Sequence, residues 1–224
     1  FLSSAAIILG VTLLYVWVNF GEISRISEAT PHSYNLSYGV SVLPQRLERS
    51  PYSHYAAAAR VLTGITAAVL ILFGVWFSRK IKLTSSYAPA RYLDAFRAGS
   101  AIYIGTFFLG SNFDYRLVFL LLTIPQLIQW AQERRVLVRH LAQITLAALY
   151  LSLWHRMMLR GLEWLLPKDF PGSFSRALAF FPDEIANWLL FAGLIFLFFG
   201  SLPAWLSIRA KTTLQDVSAD RLSG

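Results

Sequence analysis

The chain has 224 residues, of which 56% are hydrophobic, 15% aromatic and only 14% charged. Soluble domains carry about a quarter charged residues, so this composition excludes a small water-soluble globule, a disordered chain and a collagen-like repeat; with no cysteine it also excludes a disulfide scaffold. The formal charge of +8 is read by position, because Lys and Arg around apolar segments report orientation before they report an anionic partner.

The chain opens on Phe1 rather than Met and is apolar through Phe20. It lacks the basic n-region and small-residue cleavage site of a secretory signal, so the segment reads as a membrane helix in a piece of a longer protein. Further apolar segments near residues 56–78, 98–110, 117–131, 141–154 and 185–208 bring the expected crossings to about six. The expected fold is therefore all-α, a polytopic transmembrane helical bundle over residues 1–208 with a short tail over 209–224.

Between the first two segments, Thr30 to Val40 is rich in hydroxyls and aromatics. Such residues suit a saccharide, whose C–H faces stack on rings, but Tyr equally belongs to the membrane-interface belt. Asn35-Leu36-Ser37 fits the glycosylation pattern, which has no meaning in most bacterial membranes. Asp94 and Arg97, three apart, are expected to pair on one helical face.

Orientation follows from the cations. Eleven (Arg79, Lys80, Lys82, Arg91, Arg97, Arg134, Arg135, Arg139, Arg209, Lys211, Arg221) fall on one side in short segments, and nine fall on the other in longer loops that hold most of the acids. The positive-inside rule places the first set, with the C-terminal tail, in the cytoplasm.

At an α-helical rise, the legs Arg97–Asn112 and Arg116–Glu133 span roughly 22 to 25 Å, short of a hydrocarbon core about 30 Å thick. The turn between them is thus expected to sink below the outer surface. It carries Asn112, Asp114, Tyr115 and Arg116, and ionisable groups at such depth are functional candidates. In one reading Arg116 grips a phosphate or sugar oxygen bidentately and Asp114 accepts from a sugar hydroxyl; in the other, Asp114 caps the helix beginning near Tyr115 and pairs with Arg116 to lock the hairpin. Pro125 lies inside the following apolar run, where a kink is expected.

From Arg160 to Glu184, aromatic residues alternate with Lys168, Arg176, Pro and Gly, as in a segment lying in the headgroup layer. Asp183 and Glu184 then stand at the N-terminus of the last helix, where acids are favourable. His32, His54, His140 and His155 show no helical ligand spacing, so no protein metal site is expected. There is no Gly-rich phosphate loop or nucleophile elbow, and no soluble fold to present the basic loops to nucleic acid.

The stretch Gly105-Thr106-Phe107-Phe108-Leu109-Gly110-Ser111-Asn112-Phe113-Asp114-Tyr115-Arg116-Leu117-Val118-Phe119-Leu120-Leu121 resembles the C-terminal membrane half of bacterial multi-spanning proteins akin to polyprenyl-phosphate-dependent glycosyltransferases of the GT-C type. The resemblance implies an inner-membrane enzyme of the cell envelope that transfers a hexose or pentose at the outer face. Its donor would be a lipid-phosphate sugar, used as substrate and not as a resident cofactor. It also implies a catalytic acid on a first outward loop preceding Phe1, so the expected partners are membrane lipids, the lipid-linked sugar and the N-terminal part of the same protein. A transporter or flippase and a non-catalytic subunit of a membrane assembly are the competing classes. Transporters more often show helices broken near the midplane with polar pairs on several segments, whereas the polar residues here crowd one end.

Overall fold

A computed structural model describes residues 37–80, 83, 90–108, 112–165 and 172–202, with scattered positions between 11 and 25. The chain divides into two units, Phe1–Ser33 and Tyr34–Gly224. In the first, Val11, Leu14, Trp17 and Val18 are helical and exposed and Asn19 is in a turn; the other residues of the expected Phe1–Phe20 crossing, like the tail over 209–224, lie outside the described residues.

In the second unit the described elements run β1 (Ser37–Tyr38), α1 (Val42–Glu48), a 3₁₀ turn (Ser53–Tyr55), α2 (Ala56–Lys80), α3 (Ala90–Phe108), β2 (Asn112–Phe113), a 3₁₀ segment (Asp114–Thr123), α4 (Ile124–Ala131), α5 (Val136–Leu165) and α6 (Gly172–Ser201). The bundle is helical as expected, with one addition that the hydropathy pattern does not show. β1 and β2 pair antiparallel, Ser37 opposite Phe113 and Tyr38 opposite Asn112. Stretches of three helices are long and apolar enough to cross a membrane, Ser53–Ser78, Val136–His155 and Phe180–Ser201, and Leu117–Ala131 is a shorter apolar stretch.

Helix α6 is the hub and packs on α2, α3 and α5. Its apolar window is 61% buried, against 17% for that of α2, because apolar residues surround α6 on several faces whereas α2 offers it only a narrow strip. On that strip, Thr63 and Ala67 are buried, and a Cβ on Gly74 would meet Ile195. Val61, Leu62, Ile65, Val69 and Leu72 of α2 are exposed, a surface that suits lipid rather than water. Helix α5 buries Val138, Ala142, Thr145, Leu149 and Ser152, an alternating four-three spacing that forms the narrow seam of coiled-coil packing. At its middle Thr145 approaches the bare backbone of Gly193, where an added Cβ would clash.

The expected Asp94–Arg97 pair forms, Nη1 donating to Asp94 Oδ1 at 3.1 Å. Arg97 also donates from Nε to the carbonyl of Ser201 at 3.1 Å, while the Leu83 N–H reaches the Gly200 carbonyl at 3.0 Å. These contacts satisfy the orphan carbonyls and negative dipole end of α6.

Several helix bounds depart from the apolar segments. Helix α3 starts at Ala90 rather than near residue 98, and α5 runs on to Leu165. Helix α6 begins at Gly172 with Pro182 inside it, so part of the expected headgroup segment Arg160–Glu184 is helix. Asp183 and Glu184 therefore lie eleven and twelve residues into α6 and do not cap it. Backbone hydrogen bonding continues a helix through polar residues, so hydropathy marks where a helix is apolar, not where it ends.

The leg after the turn needs a larger correction. Asp114–Thr123 is wound as 3₁₀ helix, which rises about 2.0 Å per residue. With α4 it spans about 32 Å, and α3 spans about 28 Å. Both legs match the hydrocarbon thickness, so length gives no reason for the turn to be sunk. Burial follows the winding: Leu117, Leu120, Thr123 and Gln126 are buried while Val118, Phe119, Leu121 and Leu122 are exposed, the period of three that a 3₁₀ helix imposes. Pro125 stands at the start of α4, where a missing N–H costs nothing. It marks the changeover from 3₁₀ to α rather than a mid-helix kink.

A candidate polar site at the Phe108 end of the bundle

The C-terminus of α3, the loop around β1, the far part of α5 and the early part of α6 meet at one end of the bundle. Tyr38 is 1% exposed and stacks on Tyr103, ring centroids 5.1 Å apart and planes 8° from parallel. Its partner strand β2 carries Asn112. The Val40 N–H closes the loop onto α3 by donating to the Phe107 carbonyl at 2.9 Å.

From this ring pair hydrogen bonds run from α3 to α6, and a charged contact continues to α5. Thr106 Oγ1 donates to the Tyr103 carbonyl at 3.0 Å, so its single proton is used and Tyr38 OH donates to Thr106 Oγ1 at 2.9 Å. Tyr103 OH donates toward the carbonyl and Oδ1 of Asn187 at 3.3 and 3.4 Å. Asn187 Nδ2 donates to the Asp183 carbonyl at 3.0 Å and to Asp183 Oδ1 at 3.2 Å. From α5, His155 Nδ1 lies 3.4 Å from Asp183 Oδ1 and 3.0 Å from the Ser152 carbonyl. The Asp183 carboxylate thus accepts from Asn187 on its own helix, with the His155 ring of α5 beside it. Beside it Glu184 accepts from Trp188 Nε1 at 2.8 Å, and the Arg46 guanidinium lies 3.7 Å from the centroid of Phe180.

The sequence-derived site joins this cluster through the backbone. Asn112 is paired with Tyr38, and Asp114, Tyr115 and Arg116 open the 3₁₀ segment. The side chains of these four residues lie outside the described residues, so neither the substrate-clamp reading nor the hairpin-lock reading is decided by contacts.

The sequence reading does not identify His155, Asp183, Asn187 and Tyr103 as a group. A signal is present in part: Asp183 with Asn187, and Glu184 with Trp188, are spaced four apart in an apolar run, which puts each pair on one face of a helix. The pairing with His155 has no local signature. Compared with models of protein families, with curated proteins and with solved structures, the chain matches none, so its function is argued from these residues.

Proposed function

We propose that the chain is the membrane-spanning bundle of a glycosyltransferase that uses a lipid-phosphate-linked sugar at the outer face of a bacterial inner membrane. The chain crosses the membrane about six times and its tail is cytoplasmic. The observation that carries this reading is the polar chain from His155 through Asp183, Asn187 and Tyr103 to Tyr38, beside the strand that bears Asn112. Asn187 lies fourteen residues from Ser201, or about 21 Å along α6. In a core about 30 Å thick, this puts polar groups roughly 9 Å inside its outer boundary, a depth at which they must be buried in protein or line a cavity. A sugar linked to a membrane lipid through phosphate presents its reactive bond at the outer edge of the core, where such a polar cavity would open. The charge asymmetry supports the outward assignment of this end.

In this reading Arg116 binds the donor phosphate by its planar fork, Asp114 accepts from a sugar hydroxyl, and Asn112 and Tyr115 supply further polar contacts. The test is titration of the purified chain in lipid nanodiscs with a polyprenyl-phosphate hexose, with polyprenol as the control. Arg116→Lys keeps the charge but loses the bidentate geometry, so it should weaken binding at least about ten-fold, the equivalent of one lost charge-assisted hydrogen bond. Its melting temperature should stay unchanged. An Arg116→Lys variant that binds as tightly as the wild type would sink the clamp.

A further inference from the structure

We infer that His155 and Asp183 form the acid–base pair of this end of the bundle, with His155 Nε2 taking the proton from the hydroxyl of the acceptor substrate; this rests on the transfer reaction proposed above. Position along the two helices places the pair at the level of the reaction. His155 lies nineteen residues from Val136 along α5, and Asp183 eighteen residues from Ser201 along α6. Both distances correspond to about 27 to 29 Å from the cytoplasmic ends, the outer edge of the core. Both side chains are nearly covered but still reach the surface, at 11% and 16% exposure.

The hydrogen bonds set the chemistry of the ring. Nδ1 faces two acceptors, the Ser152 carbonyl at 3.0 Å and Asp183 Oδ1 at 3.4 Å, so in the neutral imidazole the proton resides on Nδ1 and the lone pair on Nε2. Among the described residues no group engages Nε2. Asp183 is itself held by Asn187 Nδ2 at 3.2 Å, and Asn187 by Tyr103, so the orienting carboxylate is fixed from α3 as well as α6. A pair that served only to tie α5 to α6 would need the Nδ1 contact alone. The further chain to Tyr103 and Tyr38 ties its geometry to the strand pair that carries Asn112.

The step balances without a further reactant. Nε2 accepts the hydroxyl proton as the acceptor oxygen bonds to the anomeric carbon. The bond from that carbon to the phosphate oxygen breaks with its electron pair going to the phosphate, and the lipid phosphate leaves. The imidazolium then returns its proton to water, and Asp183 offsets the positive charge meanwhile.

The experiment follows release of polyprenyl phosphate from a radiolabelled polyprenyl-phosphate hexose, with a primary alcohol as acceptor, by the full-length protein that includes the residues preceding Phe1, in nanodiscs, with donor binding measured separately. His155→Asn can keep an N–H where Nδ1 stood, so the melting temperature and donor Kd should stay at wild-type values. Its kcat should fall about 100-fold or more, the usual contribution of a general base. Asp183→Asn should cost kcat about ten-fold or more through lost orientation of the ring, and imidazole added to His155→Ala should restore part of the release. Wild-type release by His155→Asn, or no rescue of His155→Ala by imidazole, would overturn the inference while leaving the proposed function standing. A full-length wild-type protein that neither binds nor cleaves the donor would remove the proposed function, and this inference with it.

Discussion

Gly99→Val should destabilise the bundle by about 3 kcal/mol, near the upper end of overpacking penalties, or prevent its folding. A Cβ at Gly99 would stand 2.7 Å from the Phe119 carbonyl oxygen, 3.0 Å from Thr123 Cγ2 and 3.1 Å from Leu122 Cβ. The first of these is backbone and cannot swing away, so α3 and the 3₁₀ segment must separate. Separation would disturb the neighbouring contact of Phe96 with Trp130, whose rings meet edge to face at 4.8 Å. For a chain of this size each kcal/mol moves the melting temperature by about 2 to 4 °C, so thermal unfolding in detergent should show a drop of roughly 6 to 12 °C. A variant that melts within about 2 °C of wild type would mean that α3 and the 3₁₀ segment do not touch backbone to backbone.

Across the same interface, Gln126→Met should move stability in the opposite direction. Gln126 is completely buried, and among the described residues neither its Oε1 nor its Nε2 has a hydrogen-bond partner. The reason for its burial is geometric, since it continues the every-third-residue stripe of Leu117, Leu120 and Thr123 into the start of α4. Each unsatisfied buried group costs about 1 to 3 kcal/mol, while Met fills nearly the same volume without that cost. The melting temperature should therefore rise by an amount equivalent to at least about 2 kcal/mol. A lower melting temperature would show that the amide is engaged and that the interface differs from the one described.

The apolar helices and the Asp94–Arg97 pair are legible because each depends on residues close together in the chain, through hydropathy in one case and three-residue spacing in the other. The 3₁₀ winding is not legible: Val118, Phe119, Leu121 and Leu122 are as apolar as the buried Leu117 and Leu120, so hydropathy gives no period to read. That winding removes the length argument for a sunken turn, though the turn still joins a polar site through the pairing of Asn112 with Tyr38. Nor is the His155–Asp183 contact legible. The two residues are twenty-eight positions apart, and their meeting depends on how α5 seats on α6, with Thr145 against Gly193 as the close approach. Asp183 and Glu184 read as cap residues because the apolar run begins just after them, whereas α6 begins eleven residues before Asp183.

The end of the bundle carrying Tyr38, Tyr103, His155, Asp183 and the Asn112–Arg116 turn is expected to face out of the cell, and the cysteine-free sequence allows a direct measurement. Single Ser37→Cys, Ser173→Cys, Ser86→Cys and Ser218→Cys variants are treated in intact cells with a membrane-impermeant maleimide. Cysteines at 37 and 173 should be labelled at once, and those at 86 and 218 only after the membrane is permeabilised. Labelling of the Ser86→Cys variant from outside, with protection of Ser173→Cys, would put the polar site on the cytoplasmic face and overturn the proposed orientation.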